Sequence, residues 1–207
     1  MNDLTFQILG PVRAWRGGAE IDIGARKPRA VLAALLLYAD RPVSLDRIAR
    51  FVWGGSAPAG VAAAVHTYMA VLRGALDPGR PARSRDGLIS SSYQGYRLRV
   101  DPERVDAFRF RDLVAQAQVH WLSRRPEVAA APLAAALALC HGRPLADLRD
   151  GYPAEAVALE QERLDAGILA AAVARANGDV EAWLPALVEI AASAPLHEPL
   201  QAQLMQV

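Results

Sequence analysis

Residues 44–79, SLDRIARFVWGGSAPAGVAAAVHTYMAVLRGALDPG, decide how the first half of this chain is read. Ser44 stands where an N-cap belongs, ahead of a short helix Leu45–Trp53 with Leu45, Ile48, Ala49 and Val52 on one face. Gly54–Pro58 reads as a flexible connection. A longer helix follows from about Ala59 to Leu76, closed by Asp77-Pro78-Gly79. Along it Val65, Met69, Leu72 and Leu76 have the spacing of a buried stripe. The opposite face presents Ala62, Ala63, His66, Thr67, Ala70, Arg73 and Gly74.

Working outward, the first 25 residues read as strands: Thr5–Leu9, a break at Gly10-Pro11, Val12–Trp15, a turn at Arg16-Gly17-Gly18, then Ile21 and Ile23 on one face. From Pro28 the period changes. Ala30–Leu37 is a buried helix opened by Arg26-Lys27-Pro28-Arg29 and stopped near Asp40-Arg41-Pro42. Beyond the long helix, Leu88–Ser92 and Tyr96–Val100 pair around Tyr93-Gln94-Gly95 as a hairpin. Sheet, three helices and hairpin, in that order, predict an α+β winged helix-turn-helix over residues 1–100. Fold alone does not fix function.

After Asp101-Pro102 the strand character ends. Helices are expected over Val105–Leu122, Glu127–Cys140, Pro153–Ala176, Asp179–Ala194 and from Glu198 onward, so 101–207 reads as an all-α module. Runs such as Ala129–Ala131 and Ala170–Ala172 suit close helix pairs of the tetratricopeptide kind, although no clean 34-residue repeat shows. The last helix carries no C-terminal stop signal, which predicts a stack short of its final cap.

Composition narrows the function. Of 207 residues 53% are hydrophobic and 22% charged, a globular balance that excludes a disordered chain. The net charge of +1 conceals an asymmetry: residues 1–100 hold 14 basic and 7 acidic side chains, residues 101–207 hold 9 and 15. A basic first half is a candidate for a polyanionic partner. No apolar run reaches the roughly 20 residues of a membrane span, and the opening MNDLTFQILG lacks a basic leader, so a cytoplasmic protein is expected. Cys140 stands alone, and His66, His120, His141 and His197 are scattered, which offers no metal site. No nucleotide-binding loop or catalytic pairing is visible, so neither an enzyme nor a cofactor is expected. His120-Trp121 and Trp183-Leu184 read as core, or as the lining of a groove between helices.

Several ordered segments resemble a known family. They are Phe6–Val12, Lys27–Ala33, Arg41–Ile48, Val52-Trp53-Gly54, Thr67-Tyr68, Leu72-Arg73, Gly95–Leu98, Asp106, Ala136–Leu139 and Gly142–Leu148. With them the chain is similar, over essentially its whole length, to the Streptomyces antibiotic regulatory proteins. These are activators with an OmpR-like winged helix followed by a bacterial transcriptional activation domain. The resemblance implies binding to double-stranded DNA at promoter direct repeats upstream of biosynthetic operons and recruitment of RNA polymerase holoenzyme; it leaves a homodimer open. Family members generally continue for further helix pairs.

Candidate DNA contacts follow. His66, Thr67 and Arg73 are the readers or phosphate contacts on the long helix, with Tyr68 beside them. Lys27 and Arg29 open the first long helix, where side chains and backbone N–H groups can hold a phosphate, and they match family positions. Arg97 and Arg99 flank the wing strand, where an arginine can enter the minor groove. Arg80, Arg83 and Arg85 either join them or solvate their loop. One departure bears on function: positions 62, 64, 70 and 71, polar in relatives, are here Ala62, Ala64, Ala70 and Val71. Alanine can touch a thymine methyl but offers no bidentate hydrogen bond. The Gly54–Pro58 loop, where the OmpR-type fold meets polymerase, carries no charge and reads equally as a plain connection. The alternative is therefore a degenerate relative that no longer reads DNA and serves as an accessory or interaction protein.

Overall fold

A computed structural model describes residues 3–79, 87–148 and 154–205. Arg80, Arg83 and Arg85 lie outside the described residues. The chain opens with an antiparallel sheet of β1 (Leu4–Gln7), β2 (Arg13–Arg16) and β3 (Ala19–Glu20), in register Leu4 with Arg16 and Trp15 with Glu20. The third strand is shorter than the expected run through Ile23. The Asp22 carboxylate accepts the Gly24 N–H at 2.8 Å, and Gly24 turns left-handed, which swings the chain into the first helix. Ile23 is buried nonetheless.

Helix α1 (Arg26–Leu36) starts before Pro28, since proline is tolerated in a first turn where its missing N–H has no helical partner. From Ala30 to Leu36 every residue is buried, so α1 is the axis of the first module. Helix α2 (Leu45–Trp53) is capped as expected: the Ser44 hydroxyl accepts the Arg47 N–H at 3.2 Å. It buries Ile48, Ala49 and Val52, while Leu45 is half-exposed. Helix α3 (Val61–Leu76) buries Val65, Met69, Leu72 and Leu76, each at 0% exposure. The wing is β4 (Ile89–Ser92) paired with β5 (Gly95–Leu98). Val43, just ahead of α2, exchanges both backbone hydrogen bonds with Tyr96. Gly95 permits this approach: its φ is +124°, and a Cβ there would lie 2.1 Å from the Val43 carbonyl oxygen.

The second module stacks α4 (Asp106–Leu122), α5 (Pro126–Leu137), α6 (Ala154–Asn177), α7 (Val180–Ser193) and α8 (Glu198–Leu204). Short turns make α4–α5 and α6–α7 helical hairpins, with α5 packed on α6. Helix α5 stops at Leu137 rather than Cys140 because Leu139 and Cys140 donate three residues back instead of four. Inside the stack Arg163, 1% exposed, forks onto Glu160 at 2.9 and 2.8 Å and also bonds the Ser193 hydroxyl. That fork compensates the burial of both charges.

The two halves share one continuous core, and the loop between β1 and β2 is the fastener. Ile8 and Leu9 donate their backbone N–H groups to the Asp106 carboxylate at 2.8–2.9 Å. The Leu9 carbonyl accepts His141 N–H, that of Ile8 accepts Leu145 N–H, and Val12 N–H donates to Asp147. Gly10 admits the close approach, since a Cβ would meet the His141 carbonyl oxygen at 2.6 Å. Asp106 is only 8% exposed; burial pushes its carboxyl up to about 6, against the pull of the Leu9, Ile8 and Ala107 N–H groups. Among the described residues no helix is long and apolar enough to cross a membrane.

Candidate nucleic-acid interface

Helix α3 owes its position to its buried stripe, which seats against α1 and α2 and turns Ala62, Ala63, His66, Thr67, Ala70, Val71 and Gly74 to solvent. The wing is tied to this helix at two points. The Tyr96 hydroxyl lies 2.9 Å from His66 Nδ1, and the rings meet edge to face with centroids 5.9 Å apart. Burial raises the Tyr96 phenol above its ordinary value while nearby Arg73 opposes, so the hydroxyl keeps its proton at neutral pH. At the far end Arg73, half-buried, donates its Nε–H to the Ile89 carbonyl at 3.2 Å.

The other candidates fall into separate groups. Lys27 donates to the Val52 carbonyl at 2.9 Å, at the end of α2, and its ammonium sits 5.0 Å from the centre of the Trp53 ring. Trp53 in turn stacks on Tyr68, so Lys27 and Tyr68 are joined through one indole. Thr67 is exposed and donates its hydroxyl back to the Ala63 carbonyl within its own helix. Arg97 forks onto Asp40 at 3.1 and 2.8 Å. Arg99 is exposed beyond the end of β5. Arg29 holds the Gly24 carbonyl and reaches Asp147 at 3.4 Å, which ties it to the helical module.

Sequence reasoning missed Tyr96 as the residue that positions His66. The hairpin pattern placed Tyr96 in the wing but gave no sign of which face it would share. Asp106 was noticed only as a family match, and its part in joining the modules rests on contacts 97 and 98 residues away in the chain.

In the helical module a cleft of about 690 Å³ opens between α5 and α7, lined by alanines with Cys140, Trp183, Glu127 and Glu189. Trp183 is thus both buried core and cleft wall. Trp121 and Leu122 border a second cleft, of about 570 Å³, at the α4–α5 turn.

Residues 105–207 match the model of the bacterial transcriptional activator domain. The transcriptional regulatory protein EmbR of Mycobacterium tuberculosis is 33% identical over 98% of this chain and 52% of its own length. The regulatory protein DnrI of Streptomyces peucetius is 30% identical over 98% of this chain and 76% of its own. The chain therefore spans about half the length of EmbR and three quarters of DnrI. A solved structure of M. tuberculosis EmbR, in complex with a low-affinity phosphopeptide, superposes on all of this chain and 54% of that one, with a TM-score of 0.82 and 31% identity. A winged helix-turn-helix, a matching activator domain and this similarity across the whole sequence lead to one conclusion: the chain belongs to the Streptomyces antibiotic regulatory protein family.

Proposed function

We propose that this chain is a DNA-binding transcriptional regulator that activates a secondary-metabolite gene cluster. On this reading α3 enters the major groove at promoter direct repeats, with His66, Thr67 and Tyr68 on the groove side. Lys27, Arg97 and Arg99 meet phosphates, Arg73 and His66 hold the wing in place, and Arg29 braces the first module against the second. The helical module contacts RNA polymerase, and two copies bind adjacent repeats. The observation that carries the reading is the solvent-facing side of α3, presented by a buried stripe and anchored to the wing at Tyr96 and Ile89. The names of the relatives, regulators with either half or most of their length matched here, support it.

The test is fluorescence anisotropy of the chain on DNA from upstream of its own gene and its neighbours, against scrambled duplex, at two salt concentrations. Preference for native DNA, with affinity falling as salt rises, is the expected result. The apolar α3 face favours a second reading, an accessory protein that keeps the fold without the function. Equal or absent binding to all DNA would select it.

A further inference from the structure

The chemistry of the α3 face restricts the sequence it can read, and this step rests on the DNA-binding reading above. Six exposed side chains line the part of α3 that would enter a groove, with half-buried Tyr68 beside them: Ala62, Ala63, His66, Thr67, Ala70 and Val71. None carries a full-time charge, and four end in nothing but methyl groups. Thr67 spends its hydroxyl proton on the Ala63 carbonyl, which leaves it a γ-methyl and acceptor lone pairs. His66 commits one ring nitrogen to Tyr96. Arg73, the one cation on the helix, is half-buried and turned to the Ile89 carbonyl. The bidentate donors that read guanine, and the amides that read adenine, are absent from this face.

The major groove itself carries one apolar group, the C5-methyl of thymine. We infer that this protein reads DNA by apolar contact with thymine methyls, so its site is a duplex segment with closely spaced thymines displayed in one stretch of major groove. Alanine suits the task in two ways. Its methyl meets another methyl directly, and its small size lets the helix backbone sit deeper in the groove than arginine or glutamine would allow. His66, with the acceptor oxygen of Thr67 and the phenol of Tyr68 beside it, supplies the few hydrogen bonds that fix the register of the helix along the site.

The experiment uses the whole chain and begins with selection of bound duplexes from a random library. Anisotropy then compares the selected duplex with versions in which one thymine at a time becomes deoxyuridine, which deletes only the methyl. A parallel series replaces each guanine by 7-deazaguanine, which deletes the N7 acceptor. Each contacted thymine should cost about fourfold in affinity when its methyl is removed, the value of one buried methyl group. The deazaguanine series should cost less than twofold. Ala70→Ser, checked for folding by circular dichroism, should shrink the deoxyuridine effect at one position and leave the others unchanged.

Costly deazaguanine with silent deoxyuridine would overturn the inference in favour of polar readout. Silence in both series would overturn it in favour of backbone and shape recognition. Failure to enrich any duplex, with no binding at low salt, would overturn the DNA-binding reading together with it.

Discussion

Asp106 offers a sharp test, because two physical effects oppose each other on one carboxylate. Three backbone N–H groups, of Leu9, Ile8 and Ala107, favour the charged form, while burial favours the neutral one. Burial wins here and lifts the carboxyl from 3.8 to about 6. The folded state therefore binds the proton more tightly than the unfolded chain. The stability tied to this group is complete below pH 3.8 and is lost as pH rises through 6. Over that whole window the loss is about 3 kcal/mol, and between pH 5 and pH 7.5 it is about 1.4 kcal/mol.

Asp106→Asn isolates this contribution. The amide keeps the shape and one acceptor, but it never ionises, and it leaves one N–H donor without its carboxylate oxygen. Urea unfolding of both proteins at pH 5 and pH 7.5 gives the loss at each pH, and other titrating groups cancel in the comparison. The loss should be about 1.4 kcal/mol larger at pH 5, where the wild type gains from its proton. A loss larger at pH 7.5 would refute the reasoning. It would mean that the three N–H groups outweigh burial and hold Asp106 as a stabilised anion.

Further outcomes follow from single contacts. Gly95→Ala forces a Cβ against the Val43 carbonyl in a left-handed backbone, so thermal melting should show a loss of roughly 3 kcal/mol or more; an unchanged Tm would contradict the wing-to-α2 contact. Ser44→Ala removes the acceptor of the Arg47 N–H and should cost about 1 kcal/mol in urea unfolding. Burial, with help from nearby Asp106, Glu160 and Glu189, pushes the Cys140 thiol up to about 12, so iodoacetamide at pH 8 should label it at least tenfold more slowly in the folded protein than in urea; equal rates would show an accessible thiolate.

The helical pattern of the sequence carried most of the fold, because burial repeats locally. The stripe Val65, Met69, Leu72, Leu76 is a periodicity within sixteen residues, and the structure buries those four positions of α3. Ser44 was legible for the same reason, since a cap acts over three residues. Where an element met a distant one, the local pattern misled. Nothing within Glu127–Cys140 shows that His141 must reach the Leu9 carbonyl, and that reach accompanies the early end of α5. Nor does the alternation of Ala19–Ile23 reveal the Asp22 turn that ends β3.

What the cations of the candidate site meet could not be read from the sequence. Counting cations assumes that each one faces outward, and their partners lie too far along the chain to be seen. Arg97 meets Asp40 across 57 residues and Arg29 meets Asp147 across 118. The excess of 14 basic over 7 acidic side chains in the first half therefore overstates what DNA would feel. On the proposed arrangement Lys27, Arg97 and Arg99 face phosphates, and the exposed Arg97–Asp40 pair, of small net strength, can exchange its carboxylate for one. Each neutralised phosphate lowers the slope of log affinity against log salt by about 0.9, so three contacts give a slope of about −3. The net charge of the half, taken at face value, would give about −6. A measured slope near −6 would move the binding away from these three residues and onto cations that the proposed arrangement leaves out.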